Sequence, residues 1–517
     1  MQVSFDTSDM TWIIFVSEPT EFTCSSHLTN SNPNPWLPPG WVPEAGDPHK
    51  MPFFELRATS PMRRGMVRIA LANNCTVGQN PIYCDKGEGA RDTSEFMELL
   101  REHSDLYPTS SADVEFTFPI QSEMEEELRL IFNWKAASMK ELRNLDIADD
   151  TSILADSARP QSELLMYAIP HHQERLRPII GSSNEVMKVG CIPTLHGQAC
   201  PATGGVWSML EHLHRASLSA NRVPRTEMIA DIQHALKEDI KYELPTNYMI
   251  GAGDTYFSGK MLAKLARILV VAEEVGTVSP DQFNAALKRL KAGVQVWLDG
   301  TAKSLLLYDK AWGGMVGCGC DYHWDEKDFP LGTCLNSYPN CPALTDAGQN
   351  FGAGFYNDHH FHYGYHIYAA AVASKFDNKW AREYHQHVLT LVRDIANPSN
   401  GDNFFPKWRH KDWYLGFSWA SGIVTIEGQP YPNGRNQESS SEAIHAYEAV
   451  AVYGDVMQQI FEVNRLDESH PEAILYENAL RVRDMGRLLM ATEVHLYTSH
   501  DLYTLYTPIH LLMNYTV

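Results

Sequence analysis

The sequence lacks the long apolar runs of a membrane-spanning helix, and it is poor in basic residues. No stretch reaches the roughly eighteen apolar residues that a transmembrane helix requires, so we expect no membrane segment. Acidic residues outnumber basic residues by 64 to 42, which gives a net charge of -22. This charge repels phosphate backbones and anionic lipid surfaces. Nucleic acid and membranes are therefore not expected as partners.

A signal peptide, an internal repeat and low-complexity sequence are also missing. The short apolar run at residues 12–16 follows Asp6 and Asp9 and has no basic segment before it. What is present is a chain of 517 residues with 44% hydrophobic content, which indicates a globular protein of two or three domains. The 12 Trp and 23 Tyr residues offer flat apolar faces with polar edges, which suit sugar ligands.

The cysteines are concentrated in two short loops. Their spacing is a poor match to that of zinc ligands, so disulfide bonds in an oxidising compartment are favoured over a metal site. The pairing is open from the sequence alone. The cysteines of these loops are Cys191 and Cys200 in the first and Cys318, Cys320, Cys334 and Cys341 in the second.

Hydrophobic periodicity divides the chain into a strand-rich first part and a helical second part. Short alternating runs predict strands at 11–17, 65–72, 114–119, 129–134 and 164–169. Apolar residues at helical spacing predict helices within 206–240 and at 257–275, 280–298, 361–376, 380–396, 440–462 and 470–494. The pattern favours an N-terminal β-sandwich followed by a barrel of antiparallel helices.

Residues 351–366, FGAGFYNDHHFHYGYH, contain the first group of titratable side chains. If a helix begins near Asp358, then Asp358, His362 and Tyr365 share one face. Asp358 would lie beside a glycine-rich loop, where a substrate can reach an acid. The alternative is structural, because Asn357 or Asp358 can cap the free amides of the first helical turn. Both interpretations are open.

Residues 433–450, NGRNQESSSEAIHAYEAV, contain the second group. Glu438 and Glu442 are four residues apart, and two like charges at this spacing destabilise a helix unless they are compensated or used. Two carboxylates in one site raise at least one pKa and prepare a general base. A capping box from Ser439 to Glu442 also explains Glu442, but it leaves Gln437 and Glu438 unexplained.

Two further features invite a ligand. Residues 404–423, FFPKWRHKDWYLGFSWASGI, mix tryptophans with charged side chains in a way that suits stacking against pyranose rings. The histidines at 359, 360, 362 and 366 permit a metal site, since imidazoles four apart on a helix can share one ion. The HExxH order of a metalloprotease is not present, and we expect neither a metal nor any other cofactor.

At these segments the sequence resembles glycoside hydrolase family 81, the endo-β-1,3-glucanases. The resemblance covers nearly the whole chain in order, and motifs this long are specific. They are FVSEPTEFTC (15–24), LLMYAIPHH (164–172), GDTYFSGKMLAKLARI (253–268), YDKAWGG (308–314), YNDHHFHYGYHIYAAAV (356–372), LVRDIANPS (391–399), FFPKWRHKDWYLGFSWASG (404–422) and NQESSSEA (436–443).

The resemblance implies a multidomain fold and a reaction. The fold is an N-terminal β-sandwich at 1–185, a small α/β linking region at 186–254 and a C-terminal (α/α) barrel at 255–517, with an open cleft. The sandwich is expected to be truncated and the barrel incomplete, because the ends of the chain depart from the family pattern and residues 317–345 form a cysteine-rich insertion. The reaction is hydrolysis with inversion.

The resemblance also assigns residues. Asp358 takes the general acid position, Glu438 the general base position and Glu442 a neighbouring acidic position, with either glutamate a candidate to activate water. The candidates for holding glucose units are Tyr356, His360, His362, Lys411, Asp412, Trp413, Arg435 and Gln437.

We therefore expect an extracellular or cell-wall endo-β-1,3-glucanase that acts as a monomer on β-1,3-glucan. One alternative is a β-glucan-binding protein without activity, like the elicitor-binding relatives of this family. The other is a metal-dependent hydrolase that uses the histidines.

Overall fold

The computed structural model divides the chain into two compact units. One comprises Met1–Thr117, Arg129–Leu210 and Ser499–Val517, and the other comprises Phe118–Leu128 and Glu211–Thr498. Within these units the structure describes residues 2–5, 10–16, 20–27, 53–60, 67–73, 93–108, 113–117, 126–138, 164–177, 185–194, 196–220, 222–323, 333–334, 338–399, 401–423, 436–462 and 471–499.

The described part of the first unit consists mainly of antiparallel strands. Three sheets have three or four strands, in the orders β1-β2-β5, β10-β13-β12 and β11-β14-β8-β7, and β3 pairs with β4 as β6 does with β9. The strands are β1 (Gln2–Phe5), β2 (Met10–Val16), β3 (Phe22–His27), β4 (Phe53–Ala58), β5 (Val67–Asn73), β6 (Leu106–Pro108), β7 (Asp113–Thr117), β8 (Glu126–Asn133), β9 (Ala136–Ser138), β10 (Leu165–Ala168), β11 (Leu176–Arg177), β12 (Ile192–Thr194), β13 (Gly197–Thr203) and β14 (Val206–Leu213), with helices α1 (Thr93–Glu102) and α2 (Pro170–Arg175) between them.

All five predicted strands are confirmed, as β2, β5, β7, β8 and β10. The alternation that identified them is visible in β8, where Leu128, Leu130 and Phe132 are buried and Arg129, between the first two, is exposed. Side chains two apart point to the same face of a strand, so one face of β8 packs inward and the other does not.

The prediction of a helix across 206–218 is wrong. Residues Val206–Leu213 form strand β14, and the helix begins only at Thr226. Trp207, Leu210 and Leu213 do fall at helical spacing, but the buried residues are Trp207, Met209 and Leu213, while Leu210 is half-buried. A period of two therefore describes the buried face better than a period of 3.6.

The described part of the second unit is mainly helical. None of the described helices combines the length and apolar character needed to cross a membrane. The helices are α3 (Thr226–Asp239), α4 (Thr246–Met249), α5 (Thr255–Val275), α6 (Pro280–Leu298), α7 (His359–Phe376), α8 (Asn378–Ala396), α9 (Ser440–Phe461) and α10 (Pro471–Ser499), and the two-stranded ribbons are β15 (Leu306–Asp309) with β16 (Gly314–Gly317), β17 (Tyr322–His323) with β18 (Thr333–Cys334) and β19 (Lys411–Asp412) with β20 (Phe417–Ser418).

Local signals set the ends of these helices where the sequence predicted them. Ser279 accepts the N–H of Gln282 in a capping box with Pro280 at the first helical position, which satisfies amides that a helix start leaves free. Gly276 ends α5 with φ 70°, a left-handed conformation that glycine adopts without steric cost.

Helix α7 is the centre of the second unit. Fifteen of its 18 residues are buried, and α5, α6, α8 and α9 all pack against it. A helix that is buried on all sides must be apolar or carry polar groups with internal partners. Its histidines and tyrosines are therefore inside the protein rather than on a solvent-exposed face.

Glycine allows α7 and α9 to approach closely. A Cβ atom added at Gly364 on α7 would lie 2.6 Å from the Cα and 2.7 Å from the Cβ of Ala446 on α9. The same device recurs where α9 meets α10, because Gly454 faces the backbone of Arg483 and Gly486 faces that of Ala451. The first pair places the start of α9 against α7, and the other two pairs place its second half against α10.

The predicted disulfides are confirmed. Cys191 pairs with Cys200, and the cysteine-rich segment is closed twice, by Cys318–Cys341 and Cys320–Cys334. All four sulfurs of the second group belong to buried residues. These bonds secure a segment whose described residues form short strands and turns.

We expect Gly364→Ala to lower the free energy of unfolding by about 1–3 kcal/mol, because the added methyl group forces α7 and α9 apart. Chemical denaturation measures the change. Gly401→Ala is the matched control, since its added Cβ would meet only the Ser399 Oγ, at 3.6 Å, and it should leave stability within about 0.5 kcal/mol. Equal effects from both substitutions would contradict this account of the helix contact.

Candidate active site

Asp358 lies immediately before α7 in an unusual backbone conformation. Its φ is 58°, and its side chain makes no capping hydrogen bond to the helix. Asn357 does not cap the helix either, because its Oδ1 accepts the N–H of Gly422 at 2.5 Å. A left-handed conformation is costly for a residue with a side chain and is common at functional sites. The capping explanation for this segment is thus not supported.

Main-chain hydrogen bonds join the segment of Asp358 to that of the glutamates. The N–H of Asp358 donates to the Ala420 carbonyl at 2.9 Å, and the N–H of Ala420 donates to the Asn436 carbonyl at 3.0 Å. Asn436 is bound again through its side chain, which accepts the Ser421 hydroxyl at 2.8 Å. Asn436 precedes Glu438 by two residues, so two regions 80 residues apart in sequence are held together.

The electrostatics of Asp358 confirm that the three carboxyl groups are neighbours. Burial and the negative charges of Glu438 and Glu442 raise the pKa of Asp358 to about 8. A carboxyl group with this pKa carries its proton at neutral pH, because ionisation would place a third negative charge in a partly desolvated site. Asp358 therefore holds a proton close to two further carboxyl groups.

Glu442 is held by two tyrosines. The hydroxyls of Tyr256 on α5 and Tyr365 on α7 both donate to Glu442 Oε1 at 2.7 Å, and Lys260 Nζ lies 4.0 Å from the same oxygen. Glu442 also lies in the first turn of α9, where the helix dipole favours an anion. Ser439 caps this helix as predicted, but Glu442 bonds the tyrosines instead of completing the capping box.

Glu438 contrasts with Glu442. It is exposed, it has φ 61°, and no side-chain hydrogen bond or ion pair is found for it within the part of the chain that the structure describes. The preceding Gln437 has a buried Nε2 without a partner among the same described residues. A carboxylate in a left-handed turn, free to accept a proton, and an amide with an unused donor are both suited to contact a ligand.

A buried ion cluster supports the start of α7. His359 Nδ1 lies 2.7 Å from Asp394 Oδ1, and His359 Nε2 lies 2.7 Å from the Ala353 carbonyl. Both partners can accept hydrogen bonds, so both ring nitrogens are engaged as donors. Burial opposes ionisation of Asp394, but His359 and then Arg409 outweigh it and lower the pKa of that carboxyl.

The same cluster is the one group of potential metal ligands found within the described ranges. It consists of His359, Asp394 and His410. A histidine that donates from both nitrogens has no lone pair for a metal, and the Arg409 guanidinium lies 3.7 Å from Asp394. The geometry is that of a hydrogen-bonded ion cluster. The metal interpretation of the sequence, which used the histidines at 359, 360, 362 and 366, finds no support in it.

Five of the predicted glucose contacts have buried side chains: Tyr356, His360, His362, Lys411 and Trp413. His362 and Thr255 form a 2.6 Å hydrogen bond, and Tyr356 donates to Asp309 at 2.8 Å. A sugar would reach these side chains only if they became exposed. Asp412 and Gln437 are half-buried, and Arg435 lies outside the described residues.

Lys411 is part of a buried network that the sequence did not reveal. Its Nζ donates to Glu493 on α10 at 3.1 Å and to the Gly416 carbonyl at 2.8 Å. Ser418 donates to the same Glu493 oxygen at 2.7 Å. Burial lowers the pKa of Lys411 and raises that of Glu493. The attraction between the two opposite charges offsets this cost of burial. Lys411 is thus a link between the β19–β20 ribbon and α10.

Two of the residues around Glu442, Tyr256 and Lys260, were also not predicted, whereas Tyr365 was placed on the same helix face as Asp358. Tyr256 and Lys260 lie one helical turn apart on α5, and Lys260 Nζ donates to Tyr256 Oη at 3.1 Å. They fall inside GDTYFSGKMLAKLARI, whose spacing alone indicates only an apolar helix. The signal that could have indicated a functional role was a tyrosine and a lysine four residues apart, on one face of that helix.

Comparison with known families agrees with this geometry. The family model of the glycosyl hydrolase family 81 C-terminal domain matches residues 224–337 and 340–465. All the matched residues lie in the second unit. The match includes Tyr256, Asp358, Glu438 and Glu442, so the carboxyl cluster lies within the family 81 region.

Curated relatives are similar to this chain over part of their length. A glucan endo-1,3-beta-D-glucosidase of Glycine max is 27% identical over 418 residues, which are 80% of this chain and 50% of the relative. A glucan endo-1,3-beta-D-glucosidase of Arthroderma benhamiae is 33% identical over 58% of this chain and 30% of the relative. The chain thus spans half or less of the length of these relatives.

A solved structure has the same fold. A mutant of the glycoside hydrolase family 81 protein from Clostridium thermocellum aligns with 98% of this chain and 53% of its own, with a TM-score of 0.58 and 20% identity. The common fold has sheets in the N-terminal part and helices in the C-terminal part, as the sequence predicted.

We expect Asp394→Ala to lower the free energy of unfolding by about 3–5 kcal/mol, because it leaves the buried His359 ring and the half-buried Arg409 guanidinium without their carboxylate partner. Thermal and chemical denaturation measure the loss. Glu383→Ala lies on the exposed face of the same helix and should change stability by no more than about 0.5 kcal/mol. A small effect of Asp394→Ala would show that the cluster does not secure the start of α7.

Proposed function

We propose that this protein is an endo-acting glycoside hydrolase that cleaves β-1,3-glucan with inversion at the anomeric carbon. The observation that carries the proposal is the pairing of a protonated carboxyl group, Asp358, with a neighbouring exposed carboxylate, Glu438, on segments joined by main-chain hydrogen bonds. The names of the relatives, glucan endo-1,3-beta-D-glucosidases, support the substrate class.

In the proposed reaction Asp358 donates its proton to the glycosidic oxygen. A general acid must hold its proton at the working pH and release it in the transition state, and a pKa near 8 meets the first requirement. Inversion also needs a carboxylate on the opposite face of the sugar, separated by roughly 6.5 to 9.5 Å to admit the attacking water.

Glu438 is the better candidate for that carboxylate. Glu442 Oε1 already accepts two tyrosine hydroxyls, so this oxygen is occupied and is not free to accept a hydrogen bond from water. We assign Glu442 the role of maintaining the negative potential that keeps Asp358 protonated. Glu438, exposed and without such donors among the described residues, activates the water.

We further propose how the remaining predicted residues serve the site. Asp412, Gln437 and Arg435 are the candidates for hydrogen bonds to glucose hydroxyls. Five residues are buried and support the residues that line the site: Tyr356, His360, His362, Lys411 and Trp413. These five act on a ligand through the positions of their neighbours.

The domain organisation proposed for this function follows the family. It places a β-sandwich at 1–185, a small α/β linking region at 186–254 and an (α/α) barrel from residue 255 onward. The three disulfides support an extracellular or cell-wall location, since such bonds persist in oxidising compartments. We propose a monomer that needs no cofactor.

The second candidate is a β-glucan-binding protein without hydrolytic activity. The cluster of Asp358, Glu438 and Glu442 favours the enzyme over this candidate. Binding of laminarin without release of reducing ends would select the binding protein.

We expect Asp358→Asn to lower the release of reducing sugar from laminarin by at least about a hundredfold, because the amide cannot protonate the leaving oxygen. Laminarin binding should be retained, as measured by calorimetry. Asp281→Asn, an exposed substitution on α6, should leave turnover unchanged. Full activity of the Asp358→Asn protein would remove this residue from the acid role.

We expect the kcat/KM of the wild-type protein for laminarin to fall as the pH rises through about 8, the pKa of Asp358, because the acid then loses its proton. Glu442→Gln removes one of the charges that raise this pKa, so the alkaline limb of its residual activity should move to lower pH. A limb that stays in place or moves upward would contradict the proposed role of Glu442.

A further inference from the structure

Two phenylalanine rings are exposed to solvent beside the candidate site. Phe257 on α5 is 40% exposed, and Phe351 in the segment before α7 is 48% exposed. Their ring centroids lie 5.9 Å apart, with the planes steeply inclined. Adjacent exposed rings are unfavourable in water, so patches of this kind mark surfaces that a ligand covers.

This pair is connected to the carboxyl cluster through one tyrosine. The Phe351 ring centroid lies 5.5 Å from that of Tyr256, and the Phe257 centroid lies 5.1 Å from it. The hydroxyl of the same Tyr256 donates to Glu442 at 2.7 Å. A ligand unit resting on the two phenylalanines would therefore lie on the Glu442 side of the reacting groups.

The backbone holds Phe351 in a conformation that phenylalanine rarely adopts. Asn350, Phe351 and Gly352 have φ values of 50°, 55° and 75° in succession. A left-handed conformation is unfavourable for a bulky side chain, and here it leaves the ring about half exposed. Neither burial nor backbone preference explains this phenylalanine, and strain that is retained in a fold concentrates at ligand sites.

The segment is also anchored to the helix that carries the second ring. Asn350 Oδ1 accepts the N–H of Thr255 at 2.8 Å and its hydroxyl at 3.0 Å. Thr255 is the first residue of α5, and Phe257 follows two residues later. Both rings therefore belong to one hydrogen-bonded frame, and little order has to be created when a ligand binds.

We propose that Phe257 and Phe351 form a stacking platform for one glucose unit of the glucan chain, on the Glu442 side of the bond that is cut. The apolar C–H face of a pyranose ring suits the face or edge of an aromatic ring, and nearby hydroxyls of the sugar remain free for polar groups. The inference rests on the proposed function, because it takes the ligand to be β-1,3-glucan.

Phe351→Gly tests the platform and separates it from a structural role. Glycine removes the ring and accepts the positive φ without strain, so the melting temperature should stay the same or rise. The KM for a β-1,3-linked glucose hexamer should rise about tenfold or more, because the sugar loses apolar contact. The kcat should change by less than about threefold, since the lost contact is made equally before and during reaction.

Phe257→Ala provides a second variant that keeps the helix, because alanine is a good helix former. It should raise the KM in the same direction while leaving the melting temperature within a few degrees. Ile474→Ala, which removes another exposed apolar side chain, 66% exposed on α10, is the control and should leave KM and kcat unchanged.

Binding is measured separately from turnover by titrating the same hexamer into Asp358→Asn and into Asp358→Asn with Phe351→Gly. The double variant should bind about tenfold or more weakly. If the wild type cleaves the hexamer but Phe351→Gly has an unchanged KM, or if the two Asp358→Asn proteins bind equally, the platform is refuted and the proposed function stands. A wild type that neither cleaves nor binds the hexamer refutes both.

Discussion

The candidate site depends on two main-chain hydrogen bonds, Asp358 to Ala420 and Ala420 to Asn436. They fasten three loops into one strip, so that acidic residues from separate parts of the chain share a common frame. Because backbone groups make the connection, it constrains the positions of the loops without constraining the side chains. Gly422 belongs to the same strip, where an added Cβ would lie 2.1 Å from the Phe355 carbonyl, so a larger residue does not fit there.

Three ionised carboxyl groups held close together would repel one another, and the fold compensates each of them to a different degree. Glu442 receives most of the compensation: two hydroxyl donors, a nearby ammonium group and the positive end of α9. Asp358 receives none of these, and it stays neutral by keeping its proton. The difference between the two environments, rather than any difference in chemistry between aspartate and glutamate, assigns the protonation states.

The sequence was sufficient for much of the fold and for the acidic residues. Helices α5 to α10 follow from apolar spacing and capping signals, and the unusual motifs around Asp358 and Glu438 identify the family. The sequence was insufficient where contacts between residues far apart in the chain determine the structure. Val206–Leu213 satisfies two periodicities over eight residues, and only packing selects the strand. Tyr256 contacts Glu442, which lies 186 residues later in the sequence, and Lys411 contacts Glu493, which lies 82 residues later. Local spacing patterns carry no information about contacts between residues so far apart in the chain.

The left-handed residues have a consequence for protein engineering. Asp358 and Glu438 occupy backbone conformations that most side chains avoid, so a search for thermostabilising changes by backbone compatibility would rank them among the first candidates for replacement by glycine or asparagine. Such a search would remove the two residues to which we assign the chemistry. A mutant library designed for higher stability should therefore keep Asp358 and Glu438 unchanged and vary residues on the exposed faces of the helices.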